Sequence, residues 1–118
     1  MNYSEMSDFE INCFVAEELG MKPFSTLGWK GAQEGKFTAA ISKGPNKIGA
    51  FDPCNSWADA GPIIVSNLIA LKPVSLFVGG HRWFAIKGEG DFDIKAADNN
   101  PLRAAMIVFL MMQGAANA

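Results

Sequence analysis

The closing run Leu102-Arg103-Ala104-Ala105-Met106-Ile107-Val108-Phe109-Leu110-Met111-Met112 sets the terms for any fold this chain adopts. Its single charge, Arg103, stands at the start, and no polar face interrupts the rest. A helix that is apolar all round has to be enclosed, by other parts of a protein or by lipid. Crossing a bilayer takes about 20 apolar residues, and this run is too short. The sequence therefore predicts a core helix over residues 102–112, with Met106, Phe109 and Leu110 among its least exposed members. Asn99-Asn100-Pro101 precedes it with capping groups and a proline suited to a first helical turn.

The chain of 118 residues is long enough for one domain, 1–118, with a frayed tail over residues 114–118. Its ten basic and twelve acidic residues give a formal charge of −2, and no long basic run is present. Nucleic acid is therefore not an expected partner. A mean hydropathy of +0.11 is high for so short a chain and points to surface buried in a homo-oligomer, most simply a dimer. Residues 1–8 lack the order of a signal peptide, and Cys13 and Cys54 form no CxxC pair. A reduced cytoplasmic protein with two free thiols and no membrane partner is expected.

Ser7-Asp8-Phe9-Glu10 has the form of a capping box, and Phe9, Cys13, Ala16 and Leu19 recur at helical spacing, so Asp8 to Leu19 is predicted helical. Met21 to Gly35 shows no period and reads as a loop carrying Trp29. Strands are predicted over Lys36 to Ser42 and Lys47 to Phe51 around a Gly44-Pro45-Asn46-Lys47 turn. A second helix is expected after Asn55, Ser56 or Asp59 as cap, with Pro62 in its first turn. Ile63, Ile64, Asn67, Leu68 and Leu71 continue it and Pro73 closes it. Ser75 to Val78 and Arg82 to Lys87 read as a hairpin around Gly79-Gly80-His81, and Gly88 to Asp98 as an acidic loop. The fold class is α+β, a small antiparallel sheet of about four strands with about three helices, in the order α-β-β-α-β-β-α.

Catalytic residue types are sparse. His81 is the sole histidine, and no His or Cys pair has metal-ligand spacing. No phosphate-binding glycine motif occurs, so Gly79-Gly80 reads as a turn with positive φ. The tryptophans Trp29, Trp57 and Trp83 lie at element edges, as core lids or as stacking surfaces for a ring. Arg103 either pairs with Asp98 or Asp59, or grips an anion at a helix start. Asn55, Trp57, Asp59, Gly61, Pro62, Trp83, Asn100 and Arg103 are the candidate ligand-binding set, expected to converge on one concave site. No catalytic residue, metal or cofactor is assigned.

Met6-Ser7-Asp8-Phe9-Glu10-Ile11-Asn12, Asn55-Ser56-Trp57-Ala58-Asp59-Ala60-Gly61-Pro62-Ile63-Ile64, Trp83-Phe84-Ala85 and Asn100-Pro101-Leu102-Arg103-Ala104-Ala105 resemble the NinX-like phage proteins. The resemblance spans nearly the whole chain. Ala60 stands where many relatives carry glycine, and Arg103 where some carry an apolar residue. What it implies is a phage accessory protein acting in the cytoplasm of an infected bacterium. Polar caps and tryptophans without a nucleophile, base or metal set favour a non-enzymatic binder. Such a protein would sequester a small anionic, nucleotide-derived ligand such as a host immune signal. The alternatives are a protein–protein factor docking on a host or phage enzyme through apolar surface, and a small hydrolase with Asp52 or Asp59 as base.

Overall fold

The computed structural model describes residues 2–25, 28–29, 38–43, 48–88 and 93–116. They form two compact units, Met1–Asp52 and Pro53–Ala118.

In the first unit a 3-10 turn, Tyr3–Glu5, leads to α1, Asp8–Glu18. Its start is the expected capping box: the Glu10 N–H donates to Ser7 Oγ at 3.1 Å, and the Ser7 N–H donates to Glu10 Oε1 at 3.2 Å. Leu19 is the C-cap, and Gly20 follows at φ 80°, where glycine carries no steric penalty. Phe9, Ile11, Cys13, Val15 and Ala16 are buried, and α1 packs on β1. Strands β1, Ala40–Lys43, and β2, Ile48–Phe51, pair antiparallel, with Ala40 opposite Phe51. The predicted turn at 44–47 and the first residues of the predicted strand, 36 and 37, lie outside the described residues. Within the loop predicted after α1, Pro23 bridges Ser42. Trp29 is buried, its indole N–H donating to Glu17 Oε1 at 2.9 Å.

Asn12 is the polar tie of this unit. Its side chain is fully buried and donates from Nδ2 to the Thr38 carbonyl at 2.8 Å and to Asp52 Oδ1 at 2.6 Å. Thr38 Oγ1 donates to the other Asp52 oxygen at 2.6 Å. A buried amide needs such partners, and these bind α1 to the approach of β1 and the end of β2.

The second unit contains α2, Trp57–Ser66, a three-stranded antiparallel sheet, and α3, Pro101–Ala116. The sheet order is β3 (Ala70–Ser75), β4 (His81–Lys87), β5 (Ile94–Asp98). α3 packs on β4 and β5, and α2 packs against α3. The fold is α+β as predicted, the described residues forming five strands in two sheets in the order α-β-β-α-β-β-β-α.

Three local expectations are corrected. α2 ends at Ser66, because Asn67 caps it, Nδ2 donating to the Ile63 carbonyl at 2.8 Å, and Leu68 turns the chain at φ 55°. Leu71, predicted to continue that helix, and Pro73, predicted to close it, lie in β3; β3 is an edge strand, where a proline's missing donor is tolerated. The hairpin therefore starts at Ala70, and Leu76 to Gly80 form its turn, closed by Leu76 N–H to the Gly80 carbonyl at 3.0 Å. Gly79 and Gly80 have positive φ there, 99° and 80°. Finally, Ile94–Asp98, predicted as loop, is β5, with Ala96 opposite Ala85. Ile94, Lys95, Ala96, Ala97 and Asp98 do not alternate apolar with polar along its length, so the segment gives no period-two signal.

α3 begins at Pro101 and continues past residue 112 to Ala116. Ala104, Ala105, Met106 and Val108 are fully buried, with Phe109 and Leu110 nearly so, as the apolar run requires. Among the described residues no helix is long and apolar enough to cross a membrane. Phe109→Ala is expected to cost about 3–5 kcal/mol of unfolding free energy in urea titration. A loss below about 1 kcal/mol, the level of a surface substitution, would contradict the central placement of α3.

Candidate functional site

Pro101 brings no N–H that needs a partner, but the N–H groups of Leu102 and Arg103 have none within α3 and turn to the residue before it. Asn100 Oδ1 accepts from the Leu102 N–H at 2.9 Å and the Arg103 N–H at 3.4 Å, and its carbonyl accepts from the Ala104 N–H at 3.1 Å. The other end of the same amide, Nδ2, donates to the Cys54 carbonyl at 2.6 Å. Asn100 is thus both the N-cap of α3 and its link to the turn that leads into α2.

Asp98, the last residue of β5, fixes this corner from the sheet. One carboxylate oxygen accepts from the Asn100 N–H at 2.9 Å, and the other from Arg103 Nε at 3.1 Å. Asp98 is a partner of Arg103, as expected; both side chains are largely enclosed, 12% and 24% exposed. Trp83 lies directly opposite Asp98 across β4 and β5, so the two side chains share one face of the sheet. Trp83, Asn100 and Arg103 are in this way gathered around Asp98.

The other candidates follow Cys54 along the chain. Ser56, of the three caps considered, is the one used, its side chain accepting from the Asp59 N–H at 3.4 Å. Trp57 is the first residue of α2 and is 59% exposed. Asp59 is half-buried and Asn55 exposed. Pro62 does not sit in the first turn as predicted; it is inside α2, on the exposed side. Its missing N–H withdraws the helical partner of the Ala58 carbonyl, and Ala58 is exposed too, so water can replace it. A side chain built on Gly61 would meet nothing within 4 Å, so the surface above it is open.

Two members of this corner escape a reading by residue type. Asp98 stands out only as a possible partner for Arg103, and the part played by Cys54 is that of a backbone carbonyl, which no side chain announces. The arrangement also changes the chemistry expected at the start of α3. Its first N–H groups already donate to Asn100, so an anion there would meet the guanidinium, held in place by Asp98, rather than bare backbone. Of the residue types that could form a thiol–imidazole nucleophile pair, Cys54 is fully buried while His81 is exposed at the start of β4. Asp52 is engaged by Asn12 and Thr38. Among the described residues no group of three or more His, Cys, Asp or Glu is placed to hold a metal ion.

Over residues 2–113 the chain matches the family described as bacteriophage P22, NinX. It belongs to that phage family. No curated protein gives a significant match.

Asn100→Ala removes the cap and the donor to Cys54 together. It is expected to cost about 2–4 kcal/mol, a cap plus an enclosed carbonyl left unpaired. Asn100→Ser keeps a capping oxygen and loses the donor to Cys54 without adding a charge, so its loss in urea titration should be smaller than that of Asn100→Ala. Equal stability of wild type and Asn100→Ala would contradict the double role.

Proposed function

We propose that this member of the phage NinX family is a non-enzymatic accessory protein that holds a small anionic, nucleotide-like ligand. Held in the cytoplasm of the infected host, the ligand, a host immune signal being the class in view, is withdrawn from the machinery that reads it. The observation that carries this reading is Trp57. A tryptophan acting as a core lid would be enclosed, whereas this indole is 59% exposed at the first residue of α2. An exposed ring beside a helix start is a stacking platform for a base.

The roles follow from the chemistry of each group. Trp57 or Trp83 stacks on the ring of the ligand. Arg103 takes its anionic group; a guanidinium carries five N–H donors, so pairing with Asp98 is compatible with a second acceptor. Asn55 and Asp59 meet hydroxyls or donors, Asn100 offers a hydroxyl the second proton of its Nδ2, and the open surface over Gly61, beside Pro62, admits a close approach. The set holds no nucleophile beside a base, and its one carboxylate, Asp59, has no histidine or metal partner within it, which is why binding is favoured over turnover.

A second reading, docking on a host or phage enzyme, is favoured by the β3–β4 turn. Phe77 and Val78 stand almost fully exposed at its tip, and residues 70–88 carry Lys72, Arg82 and Lys87 without a single acidic residue.

Purified protein incubated with nucleotide extract from infected cells, washed, and heated is expected to release an intact nucleotide-like anion detectable by mass spectrometry. Trp57→Ala and Arg103→Ala, checked for folding by circular dichroism, should each retain less by about tenfold or more, the effect of losing roughly 1.4 kcal/mol of binding. Release of a chemically altered product would make the protein an enzyme. Release of nothing would leave docking as the function.

A further inference from the structure

We infer that the outer face of the β3–β4–β5 sheet binds single-stranded nucleic acid. Side chains alternate between the two faces of a strand. Ala85 is fully buried and α3 packs on β4 and β5, so the set containing Trp83 and Ala85 faces α3. Phe84 belongs to the opposite face, and the register fixes its neighbours there. Lys72 and Ala97 lie directly opposite it on β3 and β5. Arg82 is the next residue of this face along β4 on one side, and Lys95 stands in the next row on the other. Lys72, Arg82 and Lys95 are exposed, while Phe84 is half-buried in their midst.

An aromatic ring with cations on three sides suits an unpaired base, which stacks on the ring while its flanking phosphates meet the charges. By strand geometry the Cβ of Lys72 lies about 5 Å from that of Phe84, and those of Arg82 and Lys95 about 7 Å away. Arg82 Nη2 donates to the Ala97 carbonyl at 3.5 Å, which turns its guanidinium towards the Phe84 row. Lys95 answers Asp93 at 3.6 Å but stays 56% exposed, and an ammonium has three donors. β3 and β4 carry no acidic residue, and the one acid within β5, Asp98, belongs to the α3 side. No basic run announces this patch in the sequence, because its cations come from three strands and meet only through pairing.

Phe84 selects among polyanions. A duplex offers phosphates but keeps the faces of its bases stacked inside. A lipid surface takes up aromatic side chains that project into it, and Phe84, unlike the almost fully exposed Phe77, is sunk among its neighbours. A single strand needs only phosphate charge and a ring at the level of the sheet. Three cations make a modest grip: log K for a single strand falls with log salt by about 0.7 per phosphate neutralised, a slope of about −2 here. Trp83 and Arg103 gather at Asp98 on the α3 side, so this face is separate from the ligand set and does not depend on it.

Fluorescence anisotropy of a labelled oligothymidylate of about 12 nucleotides, titrated with the intact protein, tests this. Binding is expected with a Kd of about 1–100 µM at physiological salt, weakening roughly fifteenfold between about 50 and 200 mM. Phe84→Leu keeps apolar bulk in the strand and removes the ring, so binding should fall about tenfold with unchanged circular dichroism. Lys72→Gln combined with Arg82→Gln should bring the salt slope to about −0.7. Lys43→Gln, which removes an exposed cation of the first unit, should bind like wild type. Absence of binding up to about 1 mM, undiminished binding by Phe84→Leu, or equal affinity for a duplex of the same length would overturn the inference. Capture by phosphatidylserine vesicles without binding to the oligonucleotide would overturn it too, and assign the face to lipid.

Discussion

Much of the second unit hangs on one side-chain amide. α3 is apolar along its length, so its first turn has little of its own with which to close. Asn100 supplies the acceptor for the Leu102 and Arg103 N–H groups and spends its own donor on the Cys54 carbonyl. Cys54 is fully buried, and a carbonyl in such a place costs free energy unless it is paired. Asp98 holds Asn100 through its backbone and Arg103 through its side chain, adding the sheet to the same corner. Two helix starts and a strand end thus depend on groups within three residues of Asn100.

α2 and α3 are built from similar residues and meet different surroundings. α3 is enclosed, with Arg103 as its one charge answered by Asp98. α2 packs one side on α3 and leaves Trp57 and Val65 to solvent. In a chain with so few catalytic residue types, this contrast carries the functional argument. Exposed apolar surface on a short, otherwise well-packed unit calls for something to cover it. A ring stacked on Trp57 would cover part of it.

What the sequence discloses and what it hides divide along physical lines. The α1 capping box is written in Ser7 and Glu10, three residues apart, and needs no distant partner. α3 is equally plain, because an unbroken apolar run has few destinations. The turn at Gly79 and Gly80 is legible because positive φ favours glycine. β5 is not, since Ile94, Lys95, Ala96 and Ala97 become a strand by pairing with β4. The end of α2 is misread because Pro73 looks like a helix stop, while Asn67 and the left-handed Leu68 end it earlier. At the candidate site the residue types at 100 and 103 are visible. The acceptor at Cys54 belongs to the backbone 46 residues away in sequence, and only the folded chain brings it there. The Asn12, Thr38 and Asp52 tie is hidden for the same reason.

The double role of Asn100 is measured most directly by nuclear magnetic resonance of its side-chain amide. Nuclear Overhauser contacts are expected from the Asn100 Nδ2 protons to Cys54 and Asn55, with exchange much slower than at the exposed Asn99 side chain. Exchange as fast as at Asn99, with no contact to Cys54 or Asn55, would contradict it.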